Sequence, residues 1–376
     1  MHFFAMTCTA ILGAMHLKRK LVCLMAGTLG CALMARAQQP ELRWQMQESD
    51  TTAGLRGIYS VDGNVAWASG TEGTVLRTLD GGAHWTKCAV PDGDKDGATL
   101  DFRGVQAWDA QTATVMASGP GEKSRLYKTS DGCASWTLAL DATDKGSFWD
   151  VVTFQHGNFG SAIGDAHTGM LIGDPVAGRF ETYVMLLGHG WFATSAGCQA
   201  GTGFGAFAAS NSSAFVFGNQ RYVLGAGGKA GAYVELSPLL VGPSDTGPCK
   251  TVAVPIAGGA DSAGVFSVFF RDLRHGVIVG GDYQKPAEAK GTAAITSDTG
   301  RHWTATTKPP HGYRSSVTWS EELKAWITVG TNGSDISRDD GKTWAPLDDG
   351  NWNALSLPFV VGPKGRIARL SVSAAK

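Results

Sequence analysis

The chain has 376 residues, 43% hydrophobic and 17% charged, with 51 glycines and 12 tryptophans. That composition excludes a disordered chain and suits many short strands joined by tight turns. The formal net charge of −1 becomes more negative once an expected leader is removed, which argues against general nucleic-acid binding.

The leader comes first in chain order. Lys18-Arg-Lys20 is a basic n-region, Leu21 to Met34 is apolar, and Ala35-Arg-Ala37 fits the small-x-small cleavage rule. Residues 1–37 are therefore expected to be an export signal, with Met15 as an alternative start. An apolar run of about 14 residues is short of a spanning helix. Thr28 stands where a lipoprotein reading of Cys31 needs an aliphatic residue. The mature chain, residues 38–376, is expected to be secreted or periplasmic, with no membrane insertion. Losing Lys18, Arg19, Lys20 and Arg36 takes the 32 basic residues to 28 against 33 acidic ones. Four cysteines then remain, Cys88, Cys133, Cys198 and Cys249. An even count in an exported chain suggests disulfides. Three connectivities are open, with free buried thiols as the alternative. Cys88–Cys133 and Cys198–Cys249 are favoured, because the first pair sits near equivalent turns and the second brackets one repeat. No C-x-x-C occurs, and neither a metal nor a cofactor is expected.

Past the leader, a short apolar run ending in Gly recurs as Ala66–Gly70, Val115–Gly119, Ser161–Gly164, Phe215–Gly218, Val277–Gly280, Trp326–Gly330 and Phe359–Gly362. A strand precedes each: Leu55–Tyr59, Phe102–Gln106, Phe148–Val152, Phe204–Ala208, Val265–Phe269, Tyr313–Val317 and Trp352–Leu355. Third strands follow, as at Val75–Thr78, Arg125–Thr129, Ala293–Thr296 and Arg366–Leu370, and a fourth opens at a Trp. Four strands in each of seven units predict an all-β, seven-bladed β-propeller of antiparallel blades, one domain over residues 38–376. The last unit lacks its fourth strand. Leu42-Arg-Trp44-Gln-Met-Gln47 is expected to supply it and close the ring without a free edge.

Between third and fourth strands stands S/T-x-D-x-G-x-x-W, the Asp-box. It occurs as Thr78 to Trp85 around Asp80, Thr129 to Trp136 around Asp131, Thr296 to Trp303 around Asp298, and Ser337 to Trp344 around Asp339. Asp and hydroxyl can bond backbone N–H groups across a tight turn, Gly supplies positive φ, and Trp packs the base of the turn. The second copy has Cys133 in place of the Gly. Units three and four are irregular. Their loops after the second strand read as long, Asp165 to Gly178 and Asn219 to Gly231, and unit five follows with Asp282 to Gly291.

Long loops on a rigid scaffold commonly carry binding. The face opposite the Asp-boxes, near units three to five, is therefore the expected site. Arg56, Arg103 and Arg314 share one register at the start of the innermost strand and would ring the channel mouth as a carboxylate or phosphate site. The plainer reading pairs them with local carboxylates. Asp165 and Asp174, with His167 and Arg179 nearby, are candidate ligand-binding groups, and Asp150 would join them. Asp174 before Pro175 also reads as an ordinary turn start. No phosphate loop, H-E-x-x-H or G-x-S-x-G occurs.

The Asp-boxes, the repeat count and the phrases Asp101-Phe-Arg-Gly-Val105 and Gly173-Asp-Pro-Val176 resemble BNR-repeat propellers, similar to the photosystem II stability/assembly factor, over about residues 41–372. Sialidases and the sortilin luminal domain share the fold, which is WD40-like in architecture. The resemblance implies a non-enzymatic scaffold, expected to be monomeric, that binds a protein partner, or a glycan. The alternative is a glycoside hydrolase using Asp150, Asp165 and Asp174, with the arginines imitating a sialidase triad. The sialidase Arg-Ile-Pro signature is absent from the sequence, and Tyr222–Glu235 is an unconvincing nucleophile pair.

Overall fold

The computed structural model describes residues 41–154, 169–186, 190–194, 197–217, 221–238 and 248–373. The expected leader lies outside them. Among the described residues the strands form five four-stranded antiparallel sheets and one nine-stranded sheet. The larger sheet is two groups joined through a single residue pair, Gly227 with Gly264. One group runs from Phe204 to Ala253, the other from Ala263 to Ala305.

Burial orders the strands within each sheet. Second strands such as Ala66–Gly70, Ala113–Ala117 and Ala325–Gly330 are buried at every position. They read as continuous apolar runs because both faces are covered. Fourth strands such as Thr86–Lys87 and Thr304–Ala305 are exposed. A sheet apolar on both faces must pack between two neighbours, and the hydrophobic clusters do this. Trp67 and Val75 of one sheet meet Phe102 and Val115 of the next. Val277 and Val279 meet Val317 and Trp326. The circuit returns to its start where Leu55, Ala68 and Trp85 pack on Phe359, Val361 and Ile367.

The chain's two ends share the last sheet. Glu41–Gln47 pairs antiparallel with Ile367–Ser373, from Glu41 opposite Ser373 to Gln47 opposite Ile367. Trp44 sits opposite Leu370, as the N-terminal segment was expected to. Both favoured disulfides are present, Cys88–Cys133 and Cys198–Cys249.

The four aspartate turns share one geometry. In the first, Thr78 Oγ1 donates to Asp80 Oδ1 (2.9 Å) and accepts from Gly82 N (2.9 Å), while His84 N donates to Asp80 Oδ1 (2.9 Å). The same bonds recur around Asp131, Asp298 and Asp339. The fifth position of each turn is left-handed, with φ of 86° at Gly82, 80° at Gly300 and 83° at Gly341. Cys133 occupies that position at φ 68°, and its disulfide ties the strained residue to Cys88. Two of the turn tryptophans pack on the preceding sheet. Trp85 meets Phe359 edge-on (5.7 Å between centroids), and Trp344 joins the cluster around Val277 and Val279.

These bonds favour the ionised carboxylates. The His84 backbone N–H is the main cause at Asp80 and the Ser135 hydroxyl at Asp131. At Asp298, burial opposes the shift but is outweighed by the His302 bonds. All three carboxyls are depressed to about 2. A carboxyl whose folded pKa is depressed stabilises the fold above its unfolded value, near 3.9, and loses that contribution as pH falls through the folded one. The melting temperature is thus expected to fall between about pH 4 and pH 2. Asp80→Asn should flatten that dependence, and thermal melts across the window check it.

Sheets three and four depart from the expected strand assignment. The second strand of sheet three is Gly169–Val176, paired with Trp149–Phe154 on one side and Arg179–Leu186 on the other. Ser161–Gly164 lies outside the described residues. Much of the expected loop Asp165–Gly178 is thus the strand itself, turning back at Ala177-Gly178. In sheet four the second strand is Tyr222–Gly228. Phe215 belongs instead to the strand Ala214–Val216, which pairs with it. The expected inner strand Phe204–Ala208 survives only as Phe204–Gly205.

Residues Ala206–Ser213 leave the sheet and cross the axis of the ring. Asn211 Oδ1 accepts from Val152 N (2.8 Å), and its Nδ2 donates to Val152 O (2.9 Å). Ser210 Oγ donates to Ser315 O (2.6 Å), and Ser212 Oγ donates to Ser267 Oγ (2.8 Å). Val268 N donates to Ser212 O (2.9 Å). This plug is therefore bonded to the chain at Val152, Ser267, Val268 and Ser315 at once.

Candidate functional site

Strand register fixes where a ligand would enter. Leu55 opens its strand opposite Gly70, whereas Ala66 lies opposite Thr78, where an aspartate turn begins. The starts of the inner strands and the aspartate turns are thus at opposite ends of the sheets. A cavity of about 420 Å³ lies at the inner-strand starts, lined by Arg56, Arg103, Phe148, Asp150, Asp174, Ala206–Ala209, Asp261, Phe266, Tyr283, Tyr313, Ser315, Thr331 and Asn353. A smaller cavity of about 100 Å³ touches Ser210, Asn211, Ser212 and Ala214. The plug lies between the two.

A repeated backbone irregularity aims the side chains. The register slips by one residue between Leu55 and Gly57, Phe102 and Gly104, Trp149 and Val151, and Val265 and Ser267. The extra residues are Arg56, Arg103, Asp150 and Phe266, and all four line the large cavity. A β-bulge bends its strand and re-aims a side chain. The register shared by the arginines in the sequence is therefore that of a bulge, and it also delivers an acid and an aromatic ring.

Arg56 and Arg103 converge on one carboxylate. Arg56 Nε lies 3.2 Å from Asp101 Oδ1, and Arg103 Nε donates to Asp101 Oδ2 at 2.8 Å. Arg103 Nη1 also donates to Ala208 O of the plug (3.3 Å). Burial lowers the pKa of Arg56, against the pull of Asp101. Asp150 is 1% exposed, and its Oδ2 is buried with no hydrogen-bond partner among the described residues. Burial first, and the nearby charge of Asp174 second, push its carboxyl well above the usual range, with Arg103 opposing. Asp174 is raised as well, by burial, although its Oδ1 accepts from Ala206 N at 3.1 Å. Phe207 stacks on Phe266 (3.9 Å), Tyr313 meets Phe266 edge-on (4.8 Å), and Tyr283 lies 6.5 Å from Tyr313.

Other sequence candidates fall elsewhere. Arg314 does not join the cavity: it is 0% exposed, and its Nε donates to Asp335 Oδ2 at 2.7 Å. The buried Asp335 carboxylate draws that guanidinium away from the axis. Arg179 is exposed on the hairpin after Gly169–Val176 and donates to Gly197 O (3.0 Å). Asp165 and His167 lie outside the described residues. Tyr222 and Glu235 do not form a pair: the Tyr222 hydroxyl contacts Cys198 Sγ (3.2 Å), and Glu235 Oε1 accepts from Thr251 (2.6 Å).

Neither a family model nor a curated protein matches the chain. Solved structures do. A structure described as YCF48 bound to D1 peptide superposes with a TM-score of 0.58 at 15% identity, covering 87% of this chain and 94% of that one. YCF48 from Cyanidioschyzon merolae gives 0.57 at 18% identity, covering 88% and 99%. The WD40 β-propeller domain of Doa1 gives 0.52 at 10%, covering 87% and 96%. The fold is a β-propeller.

In a propeller the starts of the inner strands surround the axis, so the large cavity is an axial one. Reasoning from the sequence overlooked Asp101, Phe207, Phe266, Tyr283 and Tyr313. Asp101 had a signal, since it stands two residues before Arg103 in the Asp-Phe-Arg-Gly phrase. Phe266 had one too, at the same bulge register as Arg56. Phe207 had none, because it lies on the plug, which reads in sequence as an inner strand.

Proposed function

We propose that this chain is an exported, non-enzymatic, seven-bladed β-propeller that binds a protein partner at its axial cavity and serves as an assembly scaffold. What carries the reading is the cavity itself, where bulges of inner strands aim Arg56, Arg103, Asp150 and Phe266 toward the half-buried Asp174 and further aromatic rings. Seven blades follow if the nine-stranded sheet is counted as two. The aspartate turns ally the chain with BNR-repeat propellers of the photosystem II assembly factor type, and a neighbour of the same fold is described as bound to a peptide. Secretion or a periplasmic location, cleavage of residues 1–37 and a monomeric state belong to the same proposal.

A glycosidase is the second reading, because Asp150 and Asp174 line one cavity with their carboxyls raised. Such an enzyme places its two carboxyls on either side of the scissile bond. Here both come from one pair of hydrogen-bonded strands, in which Asp174 N donates to Phe148 O (2.8 Å). Two carboxyls carried on adjacent paired strands are poorly placed for attack from opposite faces of one bond.

The test is affinity capture from the producing organism's own envelope, run beside a glycan and aryl-glycoside panel. A captured protein that is lost with Arg103→Ala, and no turnover, is the expected outcome. Hydrolysis abolished by Asp174→Asn would overturn it.

A further inference from the structure

The acid end of the cavity holds an unmet acceptor. Asp150 presents a buried Oδ2 with no hydrogen-bond partner among the described residues, and a buried acceptor without a donor keeps its full desolvation penalty. Neither nearby arginine serves it. Both are within ion-pair distance of Asp101, and Arg103 spends a further N–H on Ala208 O. Among the described residues that line the cavity, Arg56 Nε and Thr331 Oγ1 also lack a hydrogen bond, and Asp150 Oδ2 is the buried carboxylate oxygen left without one. Around it stand Phe207, Phe266, Tyr283 and Tyr313, whose ring faces attract cations. Plug residues Ala206–Ala209 line the same cavity of about 420 Å³, a volume suited to the head of a side chain.

We propose that this cavity receives one ammonium or guanidinium head carried by the partner protein, held by Asp150 and Asp174 against the aromatic wall. The inference rests on the scaffold reading and names the chemistry the partner presents. The cation supplies a donor to the unmet Asp150 oxygen and a positive charge beside Asp174. A proton held by either acid leaves to solvent as the cation enters. Arg56 and Arg103, held by Asp101, make no direct contact with the head.

The test titrates three end-blocked tripeptides, Ala-Lys-Ala, Ala-Arg-Ala and Ala-(Nε-acetyl-Lys)-Ala, into the full exported chain by calorimetry. At least one cationic peptide should bind, with the acetylated one at least tenfold weaker. Asp150→Asn should cut cationic binding at least tenfold. The isosteric amide keeps the volume of the side chain, and a thermal melt of the variant checks that it folds as the parent does. Asp174→Asn gives a second reading of the same loss. Equal binding of charged and acetylated peptides, binding unchanged in Asp150→Asn, or no binding of either cationic peptide would each overturn the proposal. Capture from the envelope separates the two levels. A partner retained equally by the parent and by Asp150→Asn keeps the scaffold and removes the cation receptor, whereas no capture by either removes the scaffold.

Discussion

A chain that begins at Ser49, and so lacks Glu41–Gln47, is expected to lose about 7 kcal/mol of stability. The estimate takes about 1 kcal/mol net per ladder hydrogen bond over a strand whose seven residues all pair. Side-chain contacts add to it. Trp44 Nε1 donates to Ser334 Oγ of the neighbouring sheet (2.9 Å), and its ring lies 6.3 Å from that of Trp352. Folded domains are commonly stable by only about 5–15 kcal/mol, so this loss is a large part of the margin. It would also leave Ile367–Ser373 as an unpaired edge, a template for pairing with another chain. Thermal melts and size-exclusion chromatography of the truncated chain should show a large fall in melting temperature and self-association. A monomer melting within a few degrees of the parent would refute the closing role of this strand.

That strand was legible in the sequence because its partner was missing at the other end: the last unit stopped near Val372 while an unassigned Trp-opened strand stood at Trp44. Repetition of this kind exposes architecture well, since each unit repeats the same demands. It failed where a unit imitates its own marker. Phe215-Val-Phe-Gly218 satisfies the apolar-run-then-Gly rule as well as a second strand does, yet Ala214–Val216 is an inner one. The physical discriminator is which Gly faces the carbonyl before the inner strand. At Gly173 an added Cβ would lie 2.6 Å from Phe148 O, and at Gly228 it would overlap Gly203 O. Neither contact can be seen without the pairing. The site was half legible for a similar reason. Arg56 and Arg103 were found through their common register, but the fate of the third arginine depended on a carboxylate two strands away.

That arginine yields the other large effect. Arg314 and Asp335 are both fully buried, and the guanidinium bonds the carboxylate through Nε and Nη2. Its Nη1 donates to Asn332 Oδ1 (2.7 Å) and to Tyr313 O (2.6 Å), while His311 Nδ1 lies 2.8 Å from Asp335 Oδ1. Burial lowers the arginine's pKa, and Asp335 pulls against it. Removing one member of such a pair strands the other charge in an apolar setting and costs about 3–5 kcal/mol. Arg314→Met and Asp335→Leu singly are each expected to fall in that range by chemical denaturation. The double variant should recover most of the loss, because it leaves no unpaired charge. A double loss equal to the sum of the singles, or singles below about 1 kcal/mol, would show that the pair is not coupled. Since Arg314 also holds the Tyr313 carbonyl, and Tyr313 lines the cavity, the recovered double variant should still bind the captured partner more weakly than the parent. Stability and binding would then separate, placing Arg314 behind the wall of the site.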